Sequence, residues 1–270
     1  GIPVFSYIPP SAWAWRKGRA KSCAALADEI VAIFPHELPP YEAAGANISF
    51  VGNPLIDTVR AEMEPEEARR HFGIEENDVP ILLMPGSRRE EIERLLPPML
   101  GAAEILQTRD PARRFFLPVA GGVDEQRIEE HLAASPVEVT LTHDARYALM
   151  KAARAAIAAS GTVVMETAVM GLPAVVLYRM SALSYFVGRL LVDVPRFSLP
   201  NILLGETFET ELLQGAVQPE RIAAAMEPII ADGEARSYVT ERLARAVEML
   251  GEPHAARRVA EKIIALGRRV

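Results

Sequence analysis

The segment Gly86-Ser87-Arg88 has residue types that suit the binding of phosphate groups. It follows an apolar run at residues 81–84 and precedes a helical pattern at residues 90–107. Glycine lets the backbone approach a ligand closely, and the free N–H groups at a helix start favour an anion. The Ser87 hydroxyl and the Arg88 guanidinium add hydrogen-bond donors. The segment predicts a diphosphate cradle, and the alternative is a Ser87 helix cap beside surface arginines.

A second polar segment, Ser160-Gly161-Thr162, follows the apolar run at residues 155–159, and Glu166 comes one helical turn later. Gly161 permits close approach of a ligand, while the hydroxyl of Ser160 or Thr162 is able to cap the helix. The carboxylate of Glu166 accepts two hydrogen bonds, which suits the two hydroxyls of a ribose. The alternative for Glu166 is an acid stabilised by the helix dipole.

Both segments lie at the ends of predicted strands. Between residues 66 and 179, continuous apolar runs alternate with helical patterns, and the predicted strands are residues 81–84, 115–119, 137–141, 155–159 and 174–178. Buried strands separated by helices indicate a parallel sheet covered on both faces, that is, one complete doubly wound, Rossmann-like domain. In such sheets ligands bind beyond the carboxyl ends of the strands.

The two segments together predict a nucleoside-diphosphate pocket. One supplies phosphate donors and the other an acceptor for a diol, and a doubly wound sheet brings such strand ends close together. We add Thr142 to the predicted site because the Leu141-Thr142-His143 stretch, at another strand end, would offer backbone groups to the edge of a base.

Composition excludes several classes of function. The net charge is −7, so the chain lacks the basic excess that nucleic-acid binding requires. A single cysteine excludes a disulfide framework and a cysteine metal cluster, and we predict neither a metal nor a cofactor. The sequence has no apolar run long enough to span a bilayer.

Three further stretches could contact a ligand or a surface. Asn201 is an amide within an apolar stretch, where it either contacts a ligand or caps a turn. Trp13 and Trp15 precede a basic run that starts at Arg16, which suits an anionic or amphiphilic partner or an ordinary helix with inward tryptophans. The apolar residues 183–191 form either an interfacial segment or a core helix.

Several of these segments together resemble lipid-A-disaccharide synthases. The similar stretches are residues 7–16 (YIPPSAWAWR), 50–57 (FVGNPLID), 84–88 (MPGSR), 159–162 (ASGT), 178–180 (YRM), 198–201 (SLPN) and 211–214 (ELLQ). The resemblance runs almost from end to end, and its most distinctive parts are the Trp-Ala-Trp and Ser-Leu-Pro-Asn stretches.

The resemblance implies a GT-B fold and an inverting, metal-free glycosyltransferase. The donor would be UDP-2,3-diacylglucosamine, and the acceptor would be the lipid phosphate 2,3-diacylglucosamine 1-phosphate. The products would be the β-1,6-linked lipid A disaccharide precursor and UDP. It also implies a peripheral protein, on the cytoplasmic face of the inner membrane, and allows for a homodimer.

The resemblance also implies roles for parts of this chain. Residues 1–60 would be a remnant of the acceptor-side domain, residues 61–200 the donor domain, and residues 201–270 C-terminal helices that cross back. The UDP-sugar site would comprise Gly86, Ser87, Arg88, Thr142, Ser160, Gly161, Thr162, Glu166 and Asn201. The acceptor side or cleft would comprise Ser11, Trp13, Trp15 and Arg16.

One departure from the family pattern concerns catalysis. The family's Gly-rich loop and candidate catalytic carboxylate precede the Trp-Ala-Trp stretch, and this sequence begins in a predicted strand at residues 2–8. We therefore expect no catalytic residue in this chain, and we expect the chain alone to bind UDP weakly at best and to transfer nothing. Two alternatives stay open: an isomerase similar to UDP-N-acetylglucosamine 2-epimerase, suggested by residues 52–57, and a non-catalytic nucleotide-sugar-binding module.

Overall fold

The computed structural model describes residues 2–12, 18–181 and 195–268. These residues form two compact units. The larger unit comprises residues 59–181 and 196–245, and the smaller comprises residues 2–12, 18–58, 195 and 246–268.

Strands and helices alternate through most of the described chain. The strands are β1 (Phe5–Tyr7), β2 (Glu29–Ala32), β3 (Ile48–Phe50), β4 (Val79–Met84), β5 (Arg113–Pro118), β6 (Val139–Thr142), β7 (Ala155–Ala159), β8 (Ala174–Tyr178) and β9 (Glu211–Leu213). The α-helices are α1 (Gly18–Leu26), α2 (Leu38–Glu42), α3 (Leu55–Thr58), α4 (Pro65–His71), α5 (Arg89–Arg109), α6 (Glu125–Ala133), α7 (Arg146–Ala152), α8 (Thr162–Val169), α9 (Leu199–Leu204), α10 (Pro219–Ile230), α11 (Glu234–Glu248) and α12 (Ala255–Gly267).

The larger unit is built on a six-stranded sheet in the order β6-β5-β4-β7-β8-β9. All its neighbouring strands pair in parallel. From β4 the chain adds strands outward on one side and then returns to add β7, β8 and β9 on the other. The junction of β4 and β7 is therefore a topological switch point, where a crevice opens beyond the strand ends. The predicted doubly wound α/β fold is confirmed.

Apolar side chains explain why these strands lie in the interior of the unit. Every residue of β7 is buried, as are four of the five residues of β8. The apolar face of α5 is buried, with Ile92, Leu96 and Met99 at helical spacing, and α10 packs against this helix. A sheet with helices over it needs such continuous apolar strands, because neither face contacts water.

The smaller unit contains the three-stranded parallel sheet β1-β2-β3. Arg258 of α12 donates from Nε to the Val51 carbonyl oxygen at 2.7 Å. The Asp57 carboxylate accepts from the backbone N–H groups of His254 and Ala255 at 2.7 and 3.1 Å. Asn53 donates through its amide to the Ile33 carbonyl oxygen at 2.9 Å. The Gly-Asn-Pro stretch thus joins this sheet to the C-terminal helix of the same unit.

The sheet of the larger unit extends beyond residues 66–179, the range in which the sequence pattern predicted its strands. Leu212 of β9 pairs in parallel with Leu177 of β8, and β9 and α9 belong to the same unit as β4 to β8. A strand of three residues is too short for its hydrophobic pattern to distinguish it from a loop.

Candidate functional site

A cavity of about 440 Å³ opens beyond the carboxyl ends of β4 and β7. Most of the residues predicted for the nucleotide site line it: Gly86, Ser87, Arg88, Ser160, Gly161, Thr162 and Glu166. The structure therefore brings together two segments that are more than seventy positions apart in the sequence. Their meeting follows from the topology, since β4 and β7 are neighbours at the switch point.

The Gly86–Arg88 segment turns sharply before α5 begins. Gly86 has a φ of 102°, a backbone conformation that favours glycine. The carboxylate of Glu91, in the first turn of α5, accepts from the backbone N–H groups of Ser87 and Arg88 at 3.2 and 3.3 Å. Its other oxygen accepts from Nη1 of Arg88 at 2.8 Å. The donors predicted for a phosphate thus converge, and an acid of this chain occupies them.

Ser160 links the second segment to the rest of the unit. Its hydroxyl donates to the Phe197 carbonyl oxygen at 3.1 Å, while Gly161 and Thr162 are exposed at the start of α8. The Ser160 hydroxyl therefore positions the loop, and the next two residues line the cavity.

Glu166 and Arg146 form an ion pair in the cavity wall. Nη2 of Arg146 lies 3.3 Å from Oε1 of Glu166, whose side chain is only 12% exposed. Burial raises the pKa of the Glu166 carboxyl, and the Arg146 guanidinium opposes this shift. The guanidinium also lies 4.6 Å from the centroid of the Tyr147 ring. Sequence reasoning missed Arg146, although its position just after the β6 end is the signal that identified the other segments.

The charges of the cavity form two internal pairs. Among the described residues that line it, the charged side chains are Arg88, Glu91, Arg146 and Glu166, and each arginine faces one of the acids. The arginines could serve an anion and the acids could accept hydrogen bonds from hydroxyl groups. The arrangement suits a ligand that carries both kinds of group.

Two residues predicted for the nucleotide site, Thr142 and Asn201, are not among the described residues that line this cavity. Thr142 is buried at the end of β6, and its carbonyl oxygen accepts from the Val119 N–H at 2.8 Å. Asn201 is fully buried, and its amide Nδ2 donates to the Glu209 carbonyl oxygen at 2.9 Å and to the Glu211 carboxylate at 2.8 Å. Asn201 thus makes these hydrogen bonds within the chain, and its contact with a ligand stays a prediction.

The residues predicted for the acceptor side are only partly described. Ser11 is exposed and belongs to the smaller unit. Trp13, Trp15 and Arg16 lie outside the described residues, and so does the apolar segment 183–191.

Within the described ranges, no three or more His, Cys, Asp and Glu side chains are grouped so that they could hold a metal ion. In the same ranges, no helix has both the length and the apolar character needed to cross a membrane.

Comparison with known protein families gives a match over nearly the whole chain. The family model described as lipid-A-disaccharide synthetase matches residues 2–264. The lipid-A-disaccharide synthase of Syntrophus aciditrophicus (strain SB) is 44% identical over 267 residues, which are 98% of this chain and 70% of that protein. The enzyme of the same name from Geobacter metallireducens is 41% identical over 266 residues, 98% of this chain and 69% of that protein.

Solved structures with the same fold are more distant in sequence. The UDP-GlcNAc 2-epimerase of Neisseria meningitidis, bound to UDP-GlcNAc, has a TM-score of 0.68 at 16% identity and covers 98% of this chain and 70% of that chain. The MnaA–UDP structure from S. aureus has a TM-score of 0.63 at 14% identity, and the match covers 97% of this chain and 68% of that chain. At such low identity these similarities establish the fold.

Proposed function

Because the chain belongs to the lipid-A-disaccharide synthase family, a family of glycosyltransferases of lipid A biosynthesis, we propose that its larger unit binds the UDP-sugar donor of that reaction. The observation that carries the proposal is the single cavity lined by both Gly86–Arg88 and Ser160–Glu166. In this assignment the first segment binds the diphosphate and Glu166 binds the ribose. Residues 61–200 then serve the donor, and residues 1–60 belong to the acceptor side.

The proposed reaction joins two acylated glucosamines. The 6-hydroxyl oxygen of 2,3-diacylglucosamine 1-phosphate attacks C1 of the sugar in UDP-2,3-diacylglucosamine. The C1–oxygen bond to the diphosphate breaks, its electron pair stays on UDP, and the hydroxyl proton passes to a base. The configuration at C1 inverts, and the products are the β-1,6 disaccharide precursor and UDP.

The role of the cavity is to stabilise the leaving group. Negative charge grows on the diphosphate as the C1–oxygen bond breaks, and donors fixed around that position lower the barrier. Ser87, Arg88 and the backbone N–H groups at the start of α5 are the donors that this chain offers. This requires no metal ion, because the cationic group is a side chain.

We also propose that the catalytic base lies outside these 270 residues and that the chain alone transfers no sugar. We propose further that the whole protein is a homodimer that binds peripherally to the cytoplasmic face of the inner membrane. The relatives named above extend beyond the matched region, since it spans about 70% of the first of them. Disaccharide formed by the chain alone from donor and acceptor would contradict the proposed inactivity.

The donor assignment is tested by paired arginine substitutions. Arg88→Ala should weaken UDP binding about tenfold, because it removes a charge-assisted contact to the diphosphate. Arg89→Ala is the matched control, since Arg89 pairs with Glu93 and is not among the residues that line the cavity. Calorimetric titration with UDP measures both variants against the unsubstituted chain. Equal losses in the two variants, or no UDP binding by the unsubstituted chain, would sink the assignment.

An isomerase similar to UDP-GlcNAc 2-epimerase is favoured by residues 52–57 and by the fold likeness, whereas the family match is to lipid-A-disaccharide synthases. Incubation of the intact protein with UDP-N-acetylglucosamine distinguishes the two activities, since only an epimerase releases the mannosamine epimer.

A further inference from the structure

Glu91 occupies the hydrogen-bond donors that the proposed diphosphate site needs. One carboxylate oxygen takes the N–H groups of Ser87 and Arg88, and the other takes the Arg88 guanidinium at 2.8 Å. Both backbone N–H groups and the Nη1 atom of the guanidinium thus bond to the Glu91 side chain. The Glu91 side chain is 23% exposed, so a ligand in the cavity can reach it.

Gly86 makes room for this carboxylate. A Cβ atom at position 86 would collide with the Glu91 carboxylate and would lie 3.0 Å from the Glu91 Cβ. The glycine therefore serves the approach of an internal acid as well as the turn of the loop. The Gly86–Arg88 loop therefore has a shape that accommodates an anion, which in this structure is the Glu91 carboxylate.

We propose that Glu91 competes with the phosphate groups of the ligand and thereby weakens the binding of every phosphate-containing ligand, so that only a ligand with further contacts binds tightly. The inference rests on the proposed function, because it concerns the same cavity. A carboxylate and a phosphate oxygen cannot both take the same N–H groups, so the ligand has to displace Glu91. The Arg88 side chain, already near, exchanges one anionic partner for the other.

Competition of this kind favours ligands that gain contacts elsewhere. Inorganic pyrophosphate only exchanges places with the Glu91 carboxylate, so its net gain is small. UDP would additionally contact the ion pair of Arg146 and Glu166, which lines the same cavity. Displacing Glu91 therefore costs both ligands the same free energy, and only the nucleotide has additional contacts that offset this cost.

The test is the neutral variant Glu91→Gln, titrated separately with UDP and with inorganic pyrophosphate. We expect affinity to rise about fivefold for UDP and by a similar factor for pyrophosphate, because both ligands displace the same charge-assisted competitor and the variant replaces it by a weaker one. Glu90→Gln is the matched control: it removes the same charge one residue away, from a side chain that is 77% exposed, pairs with Arg94 and is absent from the lining. Long-range electrostatics alone would change both variants equally.

Glu91→Asp supplies a second, charge-preserving variant. Its shorter side chain keeps the negative charge but retracts it from the N–H groups, so pyrophosphate affinity should again rise. If pyrophosphate affinity falls or matches the Glu90→Gln control, Glu91 is a fixed brace and the inference is overturned. A gain for pyrophosphate without any UDP binding would uphold the competition and overturn the proposed nucleotide function.

Discussion

At the scale of single residues, the site depends on how its two glutamates pair with its two arginines. Glu166 is the one predicted residue whose role requires a free carboxylate, and its buried position beside Arg146 gives it a fixed orientation. Burial raises the pKa of this carboxyl, and the arginine favours the charged form that would accept hydrogen bonds from a diol. The ion pair therefore keeps the Glu166 carboxylate charged, as a hydrogen-bond acceptor, in a mostly buried part of the cavity wall.

The ribose role of Glu166 predicts a specific loss of affinity. Glu166→Gln should weaken UDP binding about tenfold, because an amide has one acceptor oxygen where the carboxylate has two, and hydrogen bonds to charged groups are the stronger ones. Binding of 2′,3′-dideoxy-UDP should be nearly the same in the variant and the unsubstituted chain, since this ligand has no diol. Calorimetry with both ligands measures the difference. An equal loss for the two ligands would assign Glu166 to the support of Arg146 or the fold.

At the scale of elements, the segment around α9 connects β9 to the cavity. Oδ1 of Asn201 accepts from the N–H groups of Phe208 and Glu209 at 3.0 and 3.1 Å. The Glu211 carboxylate accepts from the Ser198 N–H at 2.8 Å. The neighbouring Phe197 carbonyl in turn receives the Ser160 hydroxyl. The Ser-Leu-Pro-Asn stretch thus holds a loop of the site without lining it.

This network predicts that Asn201 matters to stability. Asn201→Asp keeps the shape of the side chain but removes two donors beside Glu211, and should lower the free energy of unfolding by at least about 2 kcal/mol. Asn77→Asp is the control, since Asn77 is exposed and such a change costs no more than about 0.5 kcal/mol. Urea unfolding followed by circular dichroism measures both. A variant with unchanged stability and weaker UDP binding would instead favour a ligand contact for Asn201.

At the scale of the whole molecule, one buried acid links stability to pH. Glu209 is 1% exposed, and its Oε2 accepts from the Ser198 hydroxyl at 3.0 Å. Burial raises the pKa of this carboxyl to about 8, the hydrogen bonds from Ser198 and the Ala174 backbone oppose the shift, and the nearby Glu211 adds to it. The folded protein therefore keeps a proton that the unfolded chain releases above its ordinary pKa of about 4.5.

Stability should accordingly fall as pH rises. Between about pH 4.5 and 8 the folded state binds one proton more than the unfolded state, so the contribution of Glu209 to the free energy of unfolding decreases by up to about 1.4 kcal/mol per pH unit. Glu209→Gln should remove this part of the slope, whereas Glu104→Gln, at an exposed position, should retain it. Thermal unfolding of the three proteins across that pH range provides the measurement. An unchanged slope in Glu209→Gln would show that another group carries the proton.

Much of the fold and part of the site follow from sequence patterns alone. Apolar runs at residues 81–84 and 155–159 predicted β4 and β7, because a strand that is covered on both faces has apolar residues at every position. The polar residues directly after them had to lie at one edge of a parallel sheet, so the meeting of Ser87 with Ser160 was predictable. These conclusions need only local periodicity and the direction of the strands.

Tertiary structure alone decided which partner each polar group takes. The pairing of Arg146 with Glu166 and the use of Asn201 inside the network of Glu209 and Glu211 join positions that no local pattern relates. The sequence also did not predict that Glu91 occupies the donors proposed for phosphate, because an acid in the first turn of a helix is common for electrostatic reasons. Periodicity determines which face of an element is buried, but the partner of a side chain depends on the distances that packing sets between elements.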